Sequence, residues 1–182
     1  MNSLSLSIII NSLYIPGIAS SSFGKQTIAS GDYANAFGER SEARGRSSMV
    51  SGERNRANGR ASVASGLLSL AQGAGSFAQG LLAQSYGSGG FASGIMARSF
   101  GEGSGALGIS SFAAGLSSFA NGLTVRANLG IANFASGANS QASGRLASAA
   151  FNLNTTAGGS ASASFGNGTL TKAETSFVIG RN

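Results

Sequence analysis

Small and large side chains alternate along most of the chain, in short blocks that each contain one glycine. Two positions before the glycine the residue is small, as Ala64 is in VASG and Ala78 is in FAQG. Three positions before the glycine the residue is often large and apolar, as Val63 and Phe77 are. A period of two is typical of a β-strand, whose successive side chains point to opposite faces. The pattern predicts repeated short strands with one face of small residues and one of large residues.

The glycines recur at every seventh residue without interruption from Gly17 to Gly122. A helix with this spacing would lose about 1 kcal/mol at each glycine relative to Ala. Collagen needs glycine at every third residue, so a collagen triple helix is excluded. We expect each glycine to mark a tight turn or a point of close backbone approach. The glycines with this structural role are Gly31, Gly38, Gly45, Gly52, Gly59, Gly66, Gly73, Gly80, Gly87, Gly94, Gly101, Gly108, Gly115 and Gly122.

Two blocks of seven residues make one coil of 14 residues with two strands, and we expect successive coils to stack by parallel strand pairing. The fold class is therefore all-β, a parallel solenoid or β-roll that spans residues 17–182. Beyond Gly122 the spacing lengthens to eight residues twice, in LTVRANLG (123–130) and GSASASFG (159–166). We interpret these as bulges or lengthened turns, with Phe151 in a slot that glycine would otherwise take.

A coil with small inward side chains buries little apolar area, and the large residues of its other face still need to be covered. A regular apolar column outside a monomer marks an interface. We expect the phenylalanines of this column to lie in the core or between protomers, and not to form a stacking platform for sugars. They are Phe77, Phe91, Phe112, Phe119 and Phe134. Three protomers around one axis are the simplest arrangement, and a dimer satisfies the same argument.

Composition removes most catalytic chemistry. The chain has no Cys and no His, so it lacks the commonest general base, the commonest metal ligand and any thiolate. Nothing in the sequence sets two of its six acidic residues apart as a pair for glycoside hydrolysis. The glycine runs are not followed by the Lys-Ser/Thr of a phosphate-binding loop. We expect no enzyme activity, no cofactor and no metal site.

Half of the net charge of +6 lies in one mixed-charge band between residues 39 and 60, which holds six arginines and three glutamates. One interpretation is a solvated girdle, in which Glu39, Glu42 and Glu53 pair with arginines; the other is a patch for an anionic partner. No aromatic residue lies between Phe37 and Phe77, and single-stranded nucleic acid needs interleaved aromatics, so we expect no nucleic-acid partner. The arginines of the band are Arg40, Arg44, Arg46, Arg54, Arg56 and Arg60.

Residues 1–16 lie outside the clean repeat and form a separate N-terminal segment. Their apolar run lacks a basic flank and is too short to span a bilayer, so we expect neither a secretion signal nor membrane insertion. An edge strand of this composition can add to the sheet of another protein as an anchor. It can equally cap the first coil of a solenoid. The anchoring candidates are Leu4, Leu6, Ile8, Ile9, Ile10 and Tyr14.

Four blocks carry a resemblance to a known family: RASVASG (60–66), EGSGALG (102–108), ISSFAAG (109–115) and SFVIG (176–180). They resemble the head repeats of trimeric autotransporter adhesins of the YadA type, and the same repeat recurs in bacteriophage fibre proteins. The resemblance covers nearly the whole chain from residue 17 to residue 180. It implies a left-handed parallel β-roll that assembles as an intertwined homotrimer.

An autotransporter also carries a signal peptide, a coiled-coil stalk and a membrane barrel, none of which these 182 residues show. We therefore expect a bacteriophage virion protein made in the host cytoplasm: a trimeric fibre, spike or head-decoration protein that displays a rigid rod for host attachment or particle stabilisation. Its expected partners are other virion proteins, bound through the N-terminus, and a host receptor or glycan. The alternative is a fragment of a bacterial surface adhesin. An ice-binding solenoid is disfavoured because the threonines share no column.

Overall fold

The structure, a computed structural model, describes residues 17–128 and 130–181 and the backbone of residues 6–10. Every regular element in these residues is a β-strand. The chain divides into two compact units, Met1–Gly89 and Gly90–Asn182, and each is described by itself. In both units, strands of five residues alternate with strands of two residues, so that one long and one short strand make up each coil.

The long strands of the first unit are β1 (Leu6–Ile10), β2 (Ser21–Lys25), β4 (Asn35–Glu39), β6 (Met49–Glu53), β8 (Val63–Leu67) and β10 (Phe77–Leu81). Its short strands are β3 (Ile28–Ala29), β5 (Glu42–Ala43), β7 (Arg56–Ala57), β9 (Leu70–Ala71) and β11 (Gln84–Ser85). The long strands of the second unit are β12 (Phe91–Ile95), β14 (Gly105–Ile109), β16 (Phe119–Leu123), β18 (Phe134–Ala138), β20 (Ala149–Leu153), β22 (Ala163–Asn167) and β24 (Phe177–Arg181). Its short strands are β13 (Arg98–Ser99), β15 (Phe112–Ala113), β17 (Arg126–Ala127), β19 (Gln141–Ala142), β21 (Thr156–Ala157) and β23 (Leu170–Thr171).

Each unit has one parallel sheet of long strands and one parallel sheet of short strands. In the first unit the orders are β1-β2-β4-β6-β8-β10 and β3-β5-β7-β9-β11, and in the second they run from β12 to β24 and from β13 to β23. Most pairs advance by one coil of 14 residues, as Val63 does with Phe77. The prediction of an all-β parallel solenoid with coils of this length is therefore confirmed.

The two sheets of a coil face each other across a core of alanine. Ala64 of β8 and Ala71 of β9 are fully buried, as are Ala106 of β14 and Ala113 of β15. The largest fully buried apolar side chains in the described residues are valines, at 50 and 125. Because the inward side chains are this small, the sheets approach closely, and the larger residues of each strand point outward.

Alternate glycines of the seven-residue series occupy two different places. Gly66 is the fourth residue of β8, and a Cβ there would lie 2.2 Å from the carbonyl oxygen of Gly80. Gly73 follows β9, and a Cβ there would lie 2.1 Å from the carbonyl oxygen of Gly87. The backbone of the next coil thus excludes a side chain at both. Glycines of the first kind lie inside long strands and not at turns: Gly38, Gly52, Gly66, Gly80, Gly94, Gly108 and Gly122.

The chain turns around the second residue after each glycine, where φ is positive. Examples are Leu68, with φ of 57°, and Ala61, with φ of 52°. After the glycines outside the strands, the third residue is usually a serine that closes the turn. The Ser62 hydroxyl, for example, donates to the carbonyl oxygen of Gly59 at 2.7 Å. This bond satisfies a buried hydroxyl and holds the left-handed residue in place.

The glycine slot after Gly144 is filled by Asn152 and not by Phe151, because Asn152 pairs with Gly137 of the neighbouring strand. The extra residue of this coil is Arg145, in the turn that precedes β20. Asn152 has φ of 86°, and asparagine tolerates positive φ better than most residues. The placement of Phe151 in the glycine slot is therefore wrong, since it counted sevens through a turn whose length varies.

Three threonines share one position in the coil, contrary to the sequence expectation. Thr27 in the first unit, and Thr155 and Thr169 in the second, lie directly before a short strand and are buried. Thr155 donates a hydrogen bond to the hydroxyl of Ser140 at 3.0 Å, and Thr169 accepts one from Ser164 at 2.8 Å. These threonines complete the core and form no outward ladder.

Candidate interaction surfaces

Each unit presents two opposite outer surfaces. The long-strand face carries the first, third and fifth residues of the long strands. The short-strand face carries the first residue of each short strand and the residue that follows that strand. The alanine core lies between the two faces, so a partner that covers one face leaves the other open.

The five phenylalanines of the sequence series are divided between these faces. Phe77, Phe91, Phe119 and Phe134 begin long strands, whereas Phe112 begins the short strand β15. All five are partly exposed, and none belongs to the buried core. A series counted in sevens mixes the two faces, because alternate blocks form different strands of the coil. One interface can cover four of these rings and leave Phe112 exposed; their place between protomers stays a prediction.

Phenylalanine rings form a continuous series on the long-strand face of the second unit. The ring centroids lie 5.5 Å apart for Phe119 and Phe134, 5.0 Å for Phe134 and Phe151, and 4.6 Å for Phe151 and Phe165. Phe165 contacts Phe177 at 5.5 Å. The sequence series contained only the first two of these rings. Phe151 and Phe165 are the third residues of their strands and not the first, and Phe177 was left out although it stands three residues before Gly180.

A second apolar column lies at the end of the long strands, directly after the strand glycine. In the first unit Leu67 pairs with Leu81, and the two are 37% and 38% exposed. In the second unit Ile95, Ile109 and Leu123 pair in succession and are 41%, 46% and 50% exposed. Sequence reasoning missed this column. Its signal is an aliphatic residue after every second glycine from Gly66 to Gly122, and an alignment of blocks of seven residues does not show this period of 14.

The mixed-charge band of the first unit is largely self-paired. Glu42 forms ion pairs with the guanidinium groups of Arg44, at 2.7 Å, and of Arg56, at 3.3 Å. Glu39 and Glu53 are paired with neighbouring basic residues as well. This is the arrangement of a girdle, and such exposed pairs contribute about 0–1 kcal/mol each. The arginines of the band without an ion pair among the described residues are Arg46 and Arg60.

The short-strand face of the second unit combines arginine with aromatic rings. Arg98, Phe112 and Arg126 hold the same position in β13, β15 and β17 and pair in register. Both arginines are exposed. The ring of Phe100 lies 5.3 Å from that of Phe112, at an angle of 45°. A depression of about 460 Å³ adjoins the two arginines and Phe112, and another of about 540 Å³ adjoins the two rings and Asn128.

The N-terminal candidates fall only partly within the described residues. The backbone of β1 pairs in parallel with β2, with Leu6 opposite Ser21 and Ile10 opposite Lys25. It thereby adds one strand to the long-strand sheet of the first unit, the position that a cap takes. Leu6, Ile8, Ile9 and Ile10 belong to β1, and Leu4 and Tyr14 lie outside the described residues.

Within residues 17–128 and 130–181, no three His, Cys, Asp or Glu side chains come together as a metal site. In the same part of the chain, no helix has the length and apolar character needed to cross a membrane. No family model matches the sequence, and the search of curated proteins found no match. The geometry of the two faces therefore carries the functional argument.

Proposed function

We propose that the protein is a structural component of a bacteriophage virion, a homotrimeric solenoid that acts as a fibre, spike or head-decoration protein. The long-strand faces of three protomers pack around a common axis, and the short-strand faces point outward. The single observation that carries this proposal is the apolar long-strand face, which is left exposed on a coil whose own core is alanine.

Burial of the apolar side chains of the long-strand face would stabilise the assembly. Full burial of a Leu or Ile side chain stabilises by about 1.5–3 kcal/mol, so covering residues that are half exposed contributes roughly 1 kcal/mol each. Ile95, Ile109 and Leu123 supply such side chains in every protomer, together with the phenylalanine series. Summed over three protomers, this is of the same order as the association cost, which is about 4–15 kcal/mol for each of the two association steps of a trimer. Sheets with an uncovered apolar face of this kind would otherwise aggregate.

Three protomers are favoured over two by the resemblance of the repeats to the heads of YadA-type adhesins, which also favours a left-handed coil. A threefold axis lets each long-strand face contact two neighbours and closes the assembly. A dimer buries the same columns against one partner and is the alternative outcome of the test below.

The oligomer is tested by two substitutions of matched exposure on opposite faces. Ile109, on the long-strand face, is 46% exposed, and Leu170, on the short-strand face, is 49% exposed. Ile109→Glu places a charge in the proposed interface and is expected to dissociate the trimer, whereas Leu170→Glu is expected to leave it intact. Light scattering measures the mass, which should be three times 17.9 kDa for the unaltered chain.

A measured mass of one chain for the unaltered protein would overturn the proposed assembly, and a mass of two chains would show a dimer in place of the trimer. If both variants dissociate, or neither does, the long-strand face is not the interface.

The virion role is tested by labelling purified particles with an antibody against this chain. Failure to find it on capsid or tail would favour the second candidate, a surface adhesin fragment, which rests on the same resemblance of the repeats. In that case the native gene should continue into a stalk and a membrane anchor.

A further inference from the structure

We infer that the short-strand face of the second unit binds an acidic oligosaccharide whose carboxylates fall on alternate sugars. Arg98 and Arg126 bind two successive carboxylates, and the ring of Phe112 stacks against the sugar between them. For Phe112 this replaces the expectation from the sequence that its ring lies in the core or between protomers, because it begins a short strand, on the face opposite the other four rings. This proposal deepens the display role by naming the class of ligand, and it rests on that role for its biological meaning. Its physical basis is separate, because it uses the face opposite the proposed trimer interface.

The spacing of the three side chains defines the ligand. Arg98 and Arg126 stand on either side of Phe112 in adjacent paired strands. Two strand spacings separate the backbones of the arginines by roughly 9.6 Å, with the ring halfway. A guanidinium binds a carboxylate through two parallel hydrogen bonds, and an aromatic ring offers a flat apolar surface to the C–H face of a sugar. Carboxylates on alternate sugars are separated by one disaccharide, which places the uncharged sugar over Phe112.

The two arginines are available for such a ligand. In the first unit, Arg44 and Arg56 are both occupied by Glu42. Arg98 and Arg126 form no ion pair with any of the described residues. The second unit has only the acidic residues Glu102 and Glu174 in its sequence, so its short-strand face keeps a positive potential.

The surroundings of Phe112 suit a polar ligand with one apolar side. The Phe100 ring, tilted against it, forms one wall of the depression that Asn128 and Ser143 also line. Ser110 lines the depression on the arginine side. Amide and hydroxyl groups of this kind match the hydroxyls of a sugar, as in concave sites with a few convergent polar groups.

A single-stranded nucleic acid is the competing ligand, and the face fits it less well. Such binding needs a basic groove that follows the backbone and several aromatic side chains for successive bases. The next two short strands carry Gln141 and Thr156 at the position of the arginines, so the positive charge ends there. A short acidic saccharide does not need a basic groove longer than the one between Arg98 and Arg126.

The test is isothermal titration of the full chain with three probes of equal length. They are a hexasaccharide of alternating glucuronic acid and N-acetylglucosamine, the neutral hexamer of N-acetylglucosamine, and a hexanucleotide of thymidine. The acidic hexasaccharide should bind, and the double variant Arg98→Gln/Arg126→Gln should weaken it by about tenfold or more. The matched double variant Arg145→Gln/Lys172→Gln removes the same charge elsewhere in the unit and should change affinity by less than about twofold. Phe112→Leu should also weaken binding.

No binding of the acidic hexasaccharide would overturn the proposal. Equal loss of affinity in both double variants would show that binding is unspecific charge attraction. Equal affinity for the neutral hexamer would show that the arginines do not recognise the carboxylates. Tighter binding of the hexanucleotide would replace the saccharide with nucleic acid. Light scattering and circular dichroism on the same samples separate these outcomes from loss of the scaffold: an intact trimer that does not bind contradicts this inference alone.

Discussion

At the scale of single residues, this fold depends on positions where a side chain is excluded or where a buried polar group must be paired. At glycines of the seven-residue series, such as Gly66 and Gly73, the backbone of the next coil occupies the position that a Cβ would take, so these glycines are steric requirements of stacking. The buried serines and asparagines play the complementary part. Asn55 and Ser62, for example, donate to the backbone carbonyl oxygens of Gly66 and Gly59.

The strand and turn glycines should respond differently to the same substitution. Gly66→Ala forces a Cβ to 2.2 Å from the carbonyl oxygen of Gly80 at φ of 111°, and should destabilise by about 4 kcal/mol or more. Gly75 has no atom within 4 Å of its missing Cβ, and Ala61 occupies the equivalent turn, so Gly75→Ala should cost about 1 kcal/mol. Thermal unfolding at fixed protein concentration measures both. Equal losses would contradict the steric account.

Asn55 is a buried hydrogen-bonding centre. Its amide donates to the carbonyl oxygens of Ser51 and Gly66, both at 2.7 Å, and its side-chain oxygen accepts from the backbone NH of Ser69 at 2.8 Å. Asn55→Ala leaves these groups without partners and should lower the free energy of unfolding by about 3 kcal/mol. Urea unfolding followed by circular dichroism measures the loss.

The matched control at this position is Asn55→Ser, because serine fills the same slot in the coils on either side. Ser41 donates to the carbonyl oxygen of Gly52 at 3.0 Å, and Ser69 donates to that of Gly80 at 2.9 Å. The serine variant should therefore lose only about 1 kcal/mol. A serine variant as unstable as the alanine variant would show that shape, and not hydrogen bonding, is what this slot requires.

At the scale of elements, strands and turns differ in what they tolerate. A strand must keep alanine inward and large residues outward, and a shift of one residue exchanges the faces. A turn can lengthen, because its extra residue stays at the surface. The 15-residue pairings of β16 with β18 and of β18 with β20 show this difference, since the strands on either side of each longer turn keep their faces.

Deletion of one residue should therefore have an outcome that depends on its element. Deletion of Arg145 restores the regular spacing between Gly144 and β20 and should cost about 1 kcal/mol or less. Deletion of Ala150 from β20 moves the inward alanine out of the core and should prevent that coil from forming. Circular dichroism and limited proteolysis compare the two chains. Equal proteolytic sensitivity would mean that the turn length is as constrained as the strand.

At the scale of the whole molecule, the two outer faces of each unit have different proposed roles. The long-strand face is assigned to other copies of the chain, because aliphatic side chains end the long strands from β8 to β16 and phenylalanine rings line the long strands from β16 to β24. In β2, β4 and β6 the last position of the strand holds Lys25, Glu39 and Glu53 instead. The short-strand face of the second unit, with its exposed arginines and aromatic rings, is assigned to partners outside the assembly. The stack also has ends, where the backbone groups of a terminal strand need a cover.

Truncation tests whether β1 provides that cover. Removal of residues 1–16 deletes β1 and leaves one edge of β2 unpaired. The shortened chain should keep its trimer mass, because the apolar columns lie beyond residue 17, but it should aggregate as concentration rises. Light scattering over a concentration series measures both, and removal of residues 1–5 alone is the matched control. Loss of the trimer would instead place the N-terminus in the assembly itself.

Much of the fold could be predicted from local spacing, whereas the sites could not. Ala64, two residues before Gly66, and Val63, three residues before it, are enough to predict a strand with small residues on its inward face. The distinction between Phe112 and Phe119 could not be made in the same way, because both stand three residues before a glycine. Only the unequal lengths of their strands, five residues and two, separate the faces on which they lie.

The amino-acid sequence alone determined that the chain forms a parallel solenoid. The glycines of the seven-residue series and the alanines two positions before them stand at fixed spacing, where close packing of coils excludes larger side chains. The tertiary structure decided which face each block joins, where the inserted residue lies, and which side chains become neighbours. Arg98, Phe112 and Arg126 are 14 residues apart in turn, and only the stacking of coils brings them together. The physical reason is that steric exclusion acts locally, between the side chains of one coil and the backbone of the next, and so leaves a regular pattern in the sequence. An outer surface combines exposed residues from several coils, and packing does not restrict which residue types stand there.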